Sequence, residues 1–247
     1  MKKTITALAL VVLLSMTALA STGRYDQQIQ QAVSRKIQES GKLQKVSSSV
    51  EDGIVTLTGT VDLYQDKLDA AKKAKKTANV NGVRNDIAVA GENVADSKLE
   101  QKLAKQLAYD RVGYSDNPFN YLAVTVKDGI VTLRGDVYWD VPRDSAMSII
   151  ARTPGVKDVV DEAKVLPTSI FDDTLRRREA LVIYRDSVLS RYASDPAKPI
   201  RIVVDNGHVT LYGTVQNEMD RNLAGIRAGE VSGVFSVQNK LVVNPRG

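Results

Sequence analysis

One twelve-residue stretch occurs three times in this chain and constrains its fold more than any other feature. It reads Val50-Glu-Asp-Gly-Ile-Val-Thr-Leu-Thr-Gly-Thr-Val61, then Val126-Lys-Asp-Gly-Ile-Val-Thr-Leu-Arg-Gly-Asp-Val137, then Val204-Asp-Asn-Gly-His-Val-Thr-Leu-Tyr-Gly-Thr-Val215. The starts lie 76 and 78 residues apart, and self-similarity at a near-constant period marks a tandem architecture. Each copy sets Asp-Gly or Asn-Gly between two runs of alternating apolar residues. A two-residue type I′ turn needs positive φ at both central positions, which these pairs tolerate. Each copy is therefore predicted to be a hairpin, and its register follows from the turn. Val126 faces Val131, Val124 faces Leu133 and Leu122 faces Gly135. Likewise Val50 faces Val55, Ser48 faces Leu57, Val46 faces Gly59, Val204 faces Val209, Ile202 faces Leu211 and Ile200 faces Gly213. The alternation leaves one apolar face and one wet face. The turn glycines Gly53, Gly129 and Gly207 read as structural. So do Gly59, Gly135 and Gly213, where a bulge or a closely packed helix is expected.

The flanking segments repeat as well. Asp26 precedes Ile29, Val33 and Ile37, and Asp96 precedes Leu99, Leu103 and Leu107, both at helical spacing. Asp172 and Asp173 precede a longer basic helix carrying Leu175, Val182 and Leu189. These aspartates are expected to cap their helices, which end near Gly41, Gly113 and Pro196. A second helix follows each hairpin, with Ala70, Ala146 and Ala224 at one aligned position and Lys67, Arg143 and Arg221 three residues earlier. A small residue facing the sheet with a basic one a turn away fits a helix lying close on it. Each repeat closes with a third strand that opens on Asn79, Gly155 or Gly233, a position suited to a left-handed helix end. Asn85, Asp161 and Asn239 align within that strand as a polar, backbone-bonding position.

The first twenty residues stand apart. Lys2 and Lys3 precede the apolar run Ile5 to Leu14, and Ala18-Leu19-Ala20 supplies a small-x-small cleavage pattern. The run is short for a membrane span. A signal peptide cleaved after Ala20 is expected, giving export to the periplasm, with a retained N-terminal anchor as the rival. Loss of both lysines lowers the formal charge from +5 to +3, too mild to argue for nucleic acid. The chain has no cysteine, so packing alone must hold it, even in an oxidising compartment.

The full pattern is an Asp, a helix, a strand, Asp-Gly-x-Val-Thr-Leu-x-Gly-x-Val, basic-x-x-Ala, and a last strand such as Gly233, Val234, Val237, Asn239, Leu241 and Val243. It resembles the BON domain family. The resemblance covers nearly all of the chain after residue 20. Single positions depart from it, such as Asn79 for Gly, Asp161 for Asn and Ala163 for Leu. It implies an α+β fold of three tandem αββαβ BON domains, at 24–90, 95–166 and 171–244. Each would be a three-stranded sheet with two helices packed on one face. It also implies a non-catalytic bacterial envelope protein, associated with phospholipid surfaces, osmotic-stress protection, chaperone-like periplasmic roles or attachment of larger envelope machines. A cytosolic potassium-sensing branch of the family is disfavoured by the signal peptide.

The residues agree with a non-catalytic role. A cysteine nucleophile is impossible, and no metal-ligating or phosphate-cradling motif occurs. The single histidine, His208, aligns with Ile54 and Ile130 and reads as structural or solvent-facing. No catalytic residue, metal or cofactor is expected. Such a protein offers surface, with no deep cleft gathering ionisable groups from different copies.

Two kinds of surface are candidates. Basic residues cluster as Arg176, Arg177, Arg178, Arg185 and Arg191 in repeat three, and as Lys67, Lys72, Lys73, Lys75 and Lys76 in repeat one. Either group is a solvated helix face or a contact for anionic headgroups. Aromatic residues gather in repeat two: Tyr114, Phe119, Tyr121, Tyr138 and Trp139, with Phe119 expected opposite Tyr138. They suit a membrane interface, a protein contact or packing against a neighbouring repeat. The leading expectation is peripheral binding to anionic phospholipid in support of envelope integrity under osmotic stress. Its rivals are a chaperone-like module for unfolded exported proteins and a structural module docking to peptidoglycan or a secretion complex.

Overall fold

Three turns fix the architecture. Asp52 and Gly53 have φ of 51° and 76°, Asp128 and Gly129 of 55° and 79°, and Asn206 and Gly207 of 50° and 77°. Both central residues of every turn are left-handed, as the type I′ hairpin requires. The structure, a computed structural model, describes residue 23 and residues 25–244. The expected signal peptide lies outside the described residues.

Repeat one runs α1 (residues 25–38), β1 (Val46–Glu51), β2 (Ile54–Val61), α2 (Tyr64–Lys75), β3 (Gly82–Asn85) and β4 (Ala88–Val89). Repeat two runs α3 (Asp96–Asp110), β5 (Tyr121–Lys127), β6 (Ile130–Val137), α4 (Asp140–Arg152) and β7 (Asp158–Val165). Repeat three runs α5 (Ile170–Arg185), β8 (Arg201–Asp205), β9 (His208–Val215), α6 (Glu218–Gly229) and β10 (Ser236–Val243). The central strand of each sheet pairs antiparallel with the first strand and parallel with the last. The hairpin registers follow the turn arithmetic, as at Val126↔Val131 and Val204↔Val209. In repeat three the ladder begins at Arg201↔Tyr212, so Ile200 and Gly213 fall just outside it.

Repeat one forms one compact unit, and residues 94–153 with 158 onward form another that holds repeats two and three. The core of repeat one gathers Ile29, Val33, Ile37, Leu57, Ala70 and Ala74. That of repeat three gathers Leu175, Ile183, Ile202, Leu211, Ala224 and Ala228. Ala70, Ala146 and Ala224 are all fully buried, as a helix lying close on a sheet requires.

Three expectations are corrected. The aspartates at the helix starts do not cap those helices. Asp26, Asp96 and Asp172 each reach across to the hairpin turn and accept both of its central N–H groups. The distances are 2.9 and 2.9 Å for Asp26, 2.7 and 2.9 Å for Asp96, and 2.9 and 2.9 Å for Asp172. Ser169, not an aspartate, caps α5, accepting from the N–H of Asp172. Second, α5 stops at Arg185, well before Pro196. Asp186 accepts the N–H groups of Val188 and Leu189, and this side-chain competition ends the helix. Leu189 then opens a separate 3₁₀ turn. Third, no helix presses on the strand glycines. A Cβ on Gly59, Gly135 or Gly213 would meet the carbonyl oxygen of Lys45, Tyr121 or Pro199 at 2.1, 2.0 and 2.9 Å. The close approach comes from the chain entering the neighbouring strand.

The third strands open as expected, with Asn79, Gly155 and Gly233 at φ of 63°, 97° and 103°. Asn85 and Asn239 each donate to a carbonyl of the second helix, of Lys67 at 2.8 Å and Arg221 at 2.6 Å. Asp161 has no N–H to donate, and the aligned Arg143 meets its carboxylate instead at 3.4 Å.

Candidate functional site

The outer face of α5 is an exposed surface of mixed apolar and basic side chains. Helical spacing lines up Ile170, Arg177, Arg178, Leu181 and Arg185 along one stripe. Ile170 is 86% exposed and Leu181 49%, and the three arginines are exposed as well. Among the described residues none of the three has a carboxylate within ion-pair distance. At the start of the helix, Phe171 stands 6.2 Å from Phe235 between ring centroids, and His208 meets Phe235 edge-on at 6.0 Å. Phe235 is 71% exposed. The sequence reading missed this aromatic pair. The signal was present, because the positions aligned with Phe235 hold the polar residues Lys157 and Asn81.

Arg176 is corrected. It lies on the inner face of α5, only 2% exposed, and no headgroup reaches it. Its Nη2 donates to the carbonyl of Val204 at 2.7 Å, its Nη1 to Asp173 at 2.7 Å, and its guanidinium lies 4.5 Å over the ring of Tyr138. Burial pulls its pKa down against the opposing pull of Asp173. Gln30 and Glu100 occupy the same helix position in the other copies and also bond the first strand, at Ser48 and Val126. The position is a helix-to-strand strap.

The aromatic group of repeat two divides. Phe119 does not face Tyr138: the ladder ends at Tyr121↔Asp136, and Phe119 sits in a 3₁₀ turn, packed against the core of repeat three. The side chain of Asn120 accepts the N–H of Tyr138 in its place, at 2.8 Å. Tyr121 stacks on Tyr212, centroids 3.7 Å apart and planes 6° from parallel. Phe119, Tyr121 and Tyr138 thus serve contact between repeats two and three. Tyr114 and Trp139 stay exposed. Both are tied to Asp116, Trp139 through its Nε1 at 2.9 Å and Tyr114 through Arg111, which pairs with Asp116 and lies 4.1 Å over the Tyr114 ring. Burial opposes the charge on Asp116, but hydrogen bonds from Arg111 and Trp139 outweigh it and hold its carboxyl below the usual range.

The expectation of plain surfaces is not met where repeats two and three join. A cavity of about 390 Å³ opens there, lined by Asp110 and Arg111 from repeat two and by Lys198 and Arg201 from repeat three. Ser145 donates to Asp110 at 2.9 Å, and His208, at the turn end of its hairpin, is not among the lining residues. The arrangement holds charge and offers no hydroxyl–imidazole pair. Among the described residues no cluster of His, Asp and Glu could hold a metal ion, and no helix is long and apolar enough to cross a membrane.

Comparison with known proteins agrees with this repeat structure. An uncharacterised protein in the gshII 5′ region of Anaplasma centrale is 27% identical over 136 residues, covering 54% of this chain and 89% of the relative. The osmotically-inducible protein Y of Escherichia coli (strain K12) is 30% identical over 130 residues, covering 48% of this chain and 61% of the relative. The chain thus spans less than two thirds of that protein. Among solved structures, CdsD, a structural protein of the Chlamydia trachomatis type III secretion system, aligns over 87% of this chain and 91% of its own at 13% identity. Its TM-score is 0.25. The PrgH periplasmic domain aligns over 81% and 95% at 10% identity, with a TM-score of 0.23. Scores that low carry no argument. The model of the BON domain matches residues 25–91, 95–167 and 184–245, the last match starting after the atypical Arg176. With three matches that together take in most of its length, this chain belongs to the BON domain family.

Proposed function

We propose that this protein is a non-catalytic periplasmic component of the cell envelope that holds to anionic phospholipid surfaces and supports the envelope under osmotic stress. The observation that carries the reading is the outer face of α5. Arg177, Arg178 and Arg185 are exposed, with no carboxylate at ion-pair distance among the described residues, and they flank the exposed Ile170 and Leu181; Arg178 bonds only the carbonyl of Ser232, at 3.4 Å. Apolar side chains between basic ones suit the boundary between headgroups and acyl chains. Phe171 and Phe235 extend the apolar end of the stripe. Membership of the BON family supports the envelope setting, and the printed name of the E. coli relative supports the link to osmotic stress.

Each arginine near an anionic bilayer contributes about 1 kcal/mol, or about fivefold in affinity. Co-sedimentation with phosphatidylglycerol-containing vesicles is expected to exceed that with phosphatidylcholine vesicles and to weaken with salt. The triple variant Arg177→Glu, Arg178→Glu, Arg185→Glu should lose about a hundredfold. Equal binding to both vesicle types, or an unaffected triple variant, overturns the reading.

A further inference from the structure

The cavity between repeats two and three is explained by comparing the copies. Counting twelve residues on from Asp172 reaches Tyr184, and from Asp96 it reaches Ala108. In repeat three the Tyr184 ring reaches from α5 to the residue before β8, its hydroxyl donating to the carbonyl of Ile200. In repeat two the equivalent residues, Ala108 and Leu122, both line the cavity. The space that a tyrosine fills in one copy is open in the other. Leu107, Val124 and Ala146 also line the cavity, so one wall is aliphatic, with Val124 and Ala146 buried and Leu107 half-buried.

Arg201 and Lys198 bring positive charge to the cavity. Nη1 of Arg201 donates to the carbonyls of Asn117 and Asn120 at 2.8 and 3.0 Å and to the side-chain oxygen of Asn117 at 3.1 Å. Among the described residues no carboxylate lies within ion-pair distance of Arg201 or Lys198. Arg111 is paired with Asp116 at 2.9 Å, and Asp110 keeps its charge while accepting from Ser145, so Arg201 and Lys198 leave one net positive charge on the lining. The guanidinium of Arg201 is therefore a largely buried cation whose hydrogen-bond acceptors are all neutral. A neutral acceptor offsets the cost of burying a charge less well than an anion does. The positions aligned with Arg201 are Ser47 and Ala123, so the charge is peculiar to this seam.

We propose that this cavity is a binding site for a single acyl chain ending in a carboxylate, a medium-chain fatty acid. The carboxylate meets Arg201 and Lys198, and the chain lies against Leu107, Ala108, Leu122 and Ala146. A volume of about 390 Å³ falls in the range of small-molecule pockets. This site is separate from the outer face of α5, so either can fail without the other.

The test is calorimetric titration of the protein with decanoate below its micelle concentration, beside decanol and acetate as probes lacking the charge and the chain. Saturable binding of one decanoate per chain is expected, with decanol and acetate at least about tenfold weaker. Ala108→Tyr copies the packing that repeat three already uses, keeps Arg201, and should abolish decanoate binding while leaving the vesicle binding of the α5 face unchanged. Arg201→Met should weaken decanoate about tenfold or more. No saturable heat with decanoate, equal binding of decanol, or undiminished binding by a folded Ala108→Tyr variant overturns the site.

Discussion

Glu179 occupies a place where the other copies carry hydrocarbon. Seven residues on from the repeated aspartate, repeat one has Val33 and repeat two Leu103, both fully buried. Glu179 is fully buried too, and neither carboxylate oxygen has a hydrogen-bond partner. Burial alone pushes its pKa from 4.5 up to about 8, because a charge without a partner is costly in a medium of low polarity. The carboxyl is neutral in the folded protein at pH 7. Below about pH 4.5 the folded and unfolded chains both hold the proton, and stability is unaffected. From there to about pH 8 only the folded chain keeps it, so stability falls by up to about 1.4 kcal/mol per pH unit. Above about pH 8 the loss is complete. Glu179→Leu, a side chain that repeat two already packs at this position, should raise stability at pH 7 by about 3 kcal/mol. It should also flatten the decline with pH. Urea unfolding across that pH range, followed by the fluorescence of Trp139, checks both, and an unchanged pH slope would show that the carboxyl titrates normally.

At the scale of elements, the bond from the first helix to the hairpin turn is the device that each repeat shares. A type I′ turn presents two successive N–H groups, and a carboxylate accepts both at once. In repeat two this joins α3 to the β5–β6 turn at 2.7 and 2.9 Å. Asp96→Ala leaves both donors without that partner and should cost about 1.5–3 kcal/mol. Asp96→Asn keeps one acceptor and should cost less, a ranking that thermal unfolding would measure. The hairpins themselves were legible in the sequence because the turn residues and the strand alternation are local and agree with each other. The clamp was not. An aspartate before a helical stripe satisfies the pattern for a cap, and nothing within its own segment distinguishes that role from accepting N–H groups 32 and 33 residues away. The end of α5 was hidden similarly: Leu175, Val182 and Leu189 keep an apolar rhythm through Asp186, whose side chain bonds the backbone ahead and stops the helix. Arg176 read as one of a basic run, and only the three-dimensional placement of Tyr138 and the Val204 carbonyl separates it from its exposed neighbours.

At the scale of the molecule, repeats two and three share one compact unit, and residues in which the copies differ join them. Tyr212 of β9 replaces Thr58 and Arg134 at its aligned position, and Arg201 replaces Ser47 and Ala123. Here the substitutions give each module a partner: Tyr212 stacks on Tyr121, Arg201 bonds the backbone at Asn117 and Asn120, and Asn117 donates to the carbonyl of Pro196 at 2.7 Å. The two tyrosine rings lie close and nearly parallel, and aromatic pairs contribute about 0.5–1.5 kcal/mol beyond their buried area. A double-mutant cycle on Tyr121→Ala and Tyr212→Ala should therefore return a coupling of about 1 kcal/mol in the unfolding free energy. Each single change should lose nearly as much as the pair, since either ring alone has no partner to stack on. Additive losses would mean that the rings contribute only through their own modules, and that the seam rests on Arg201 and Asn117 instead.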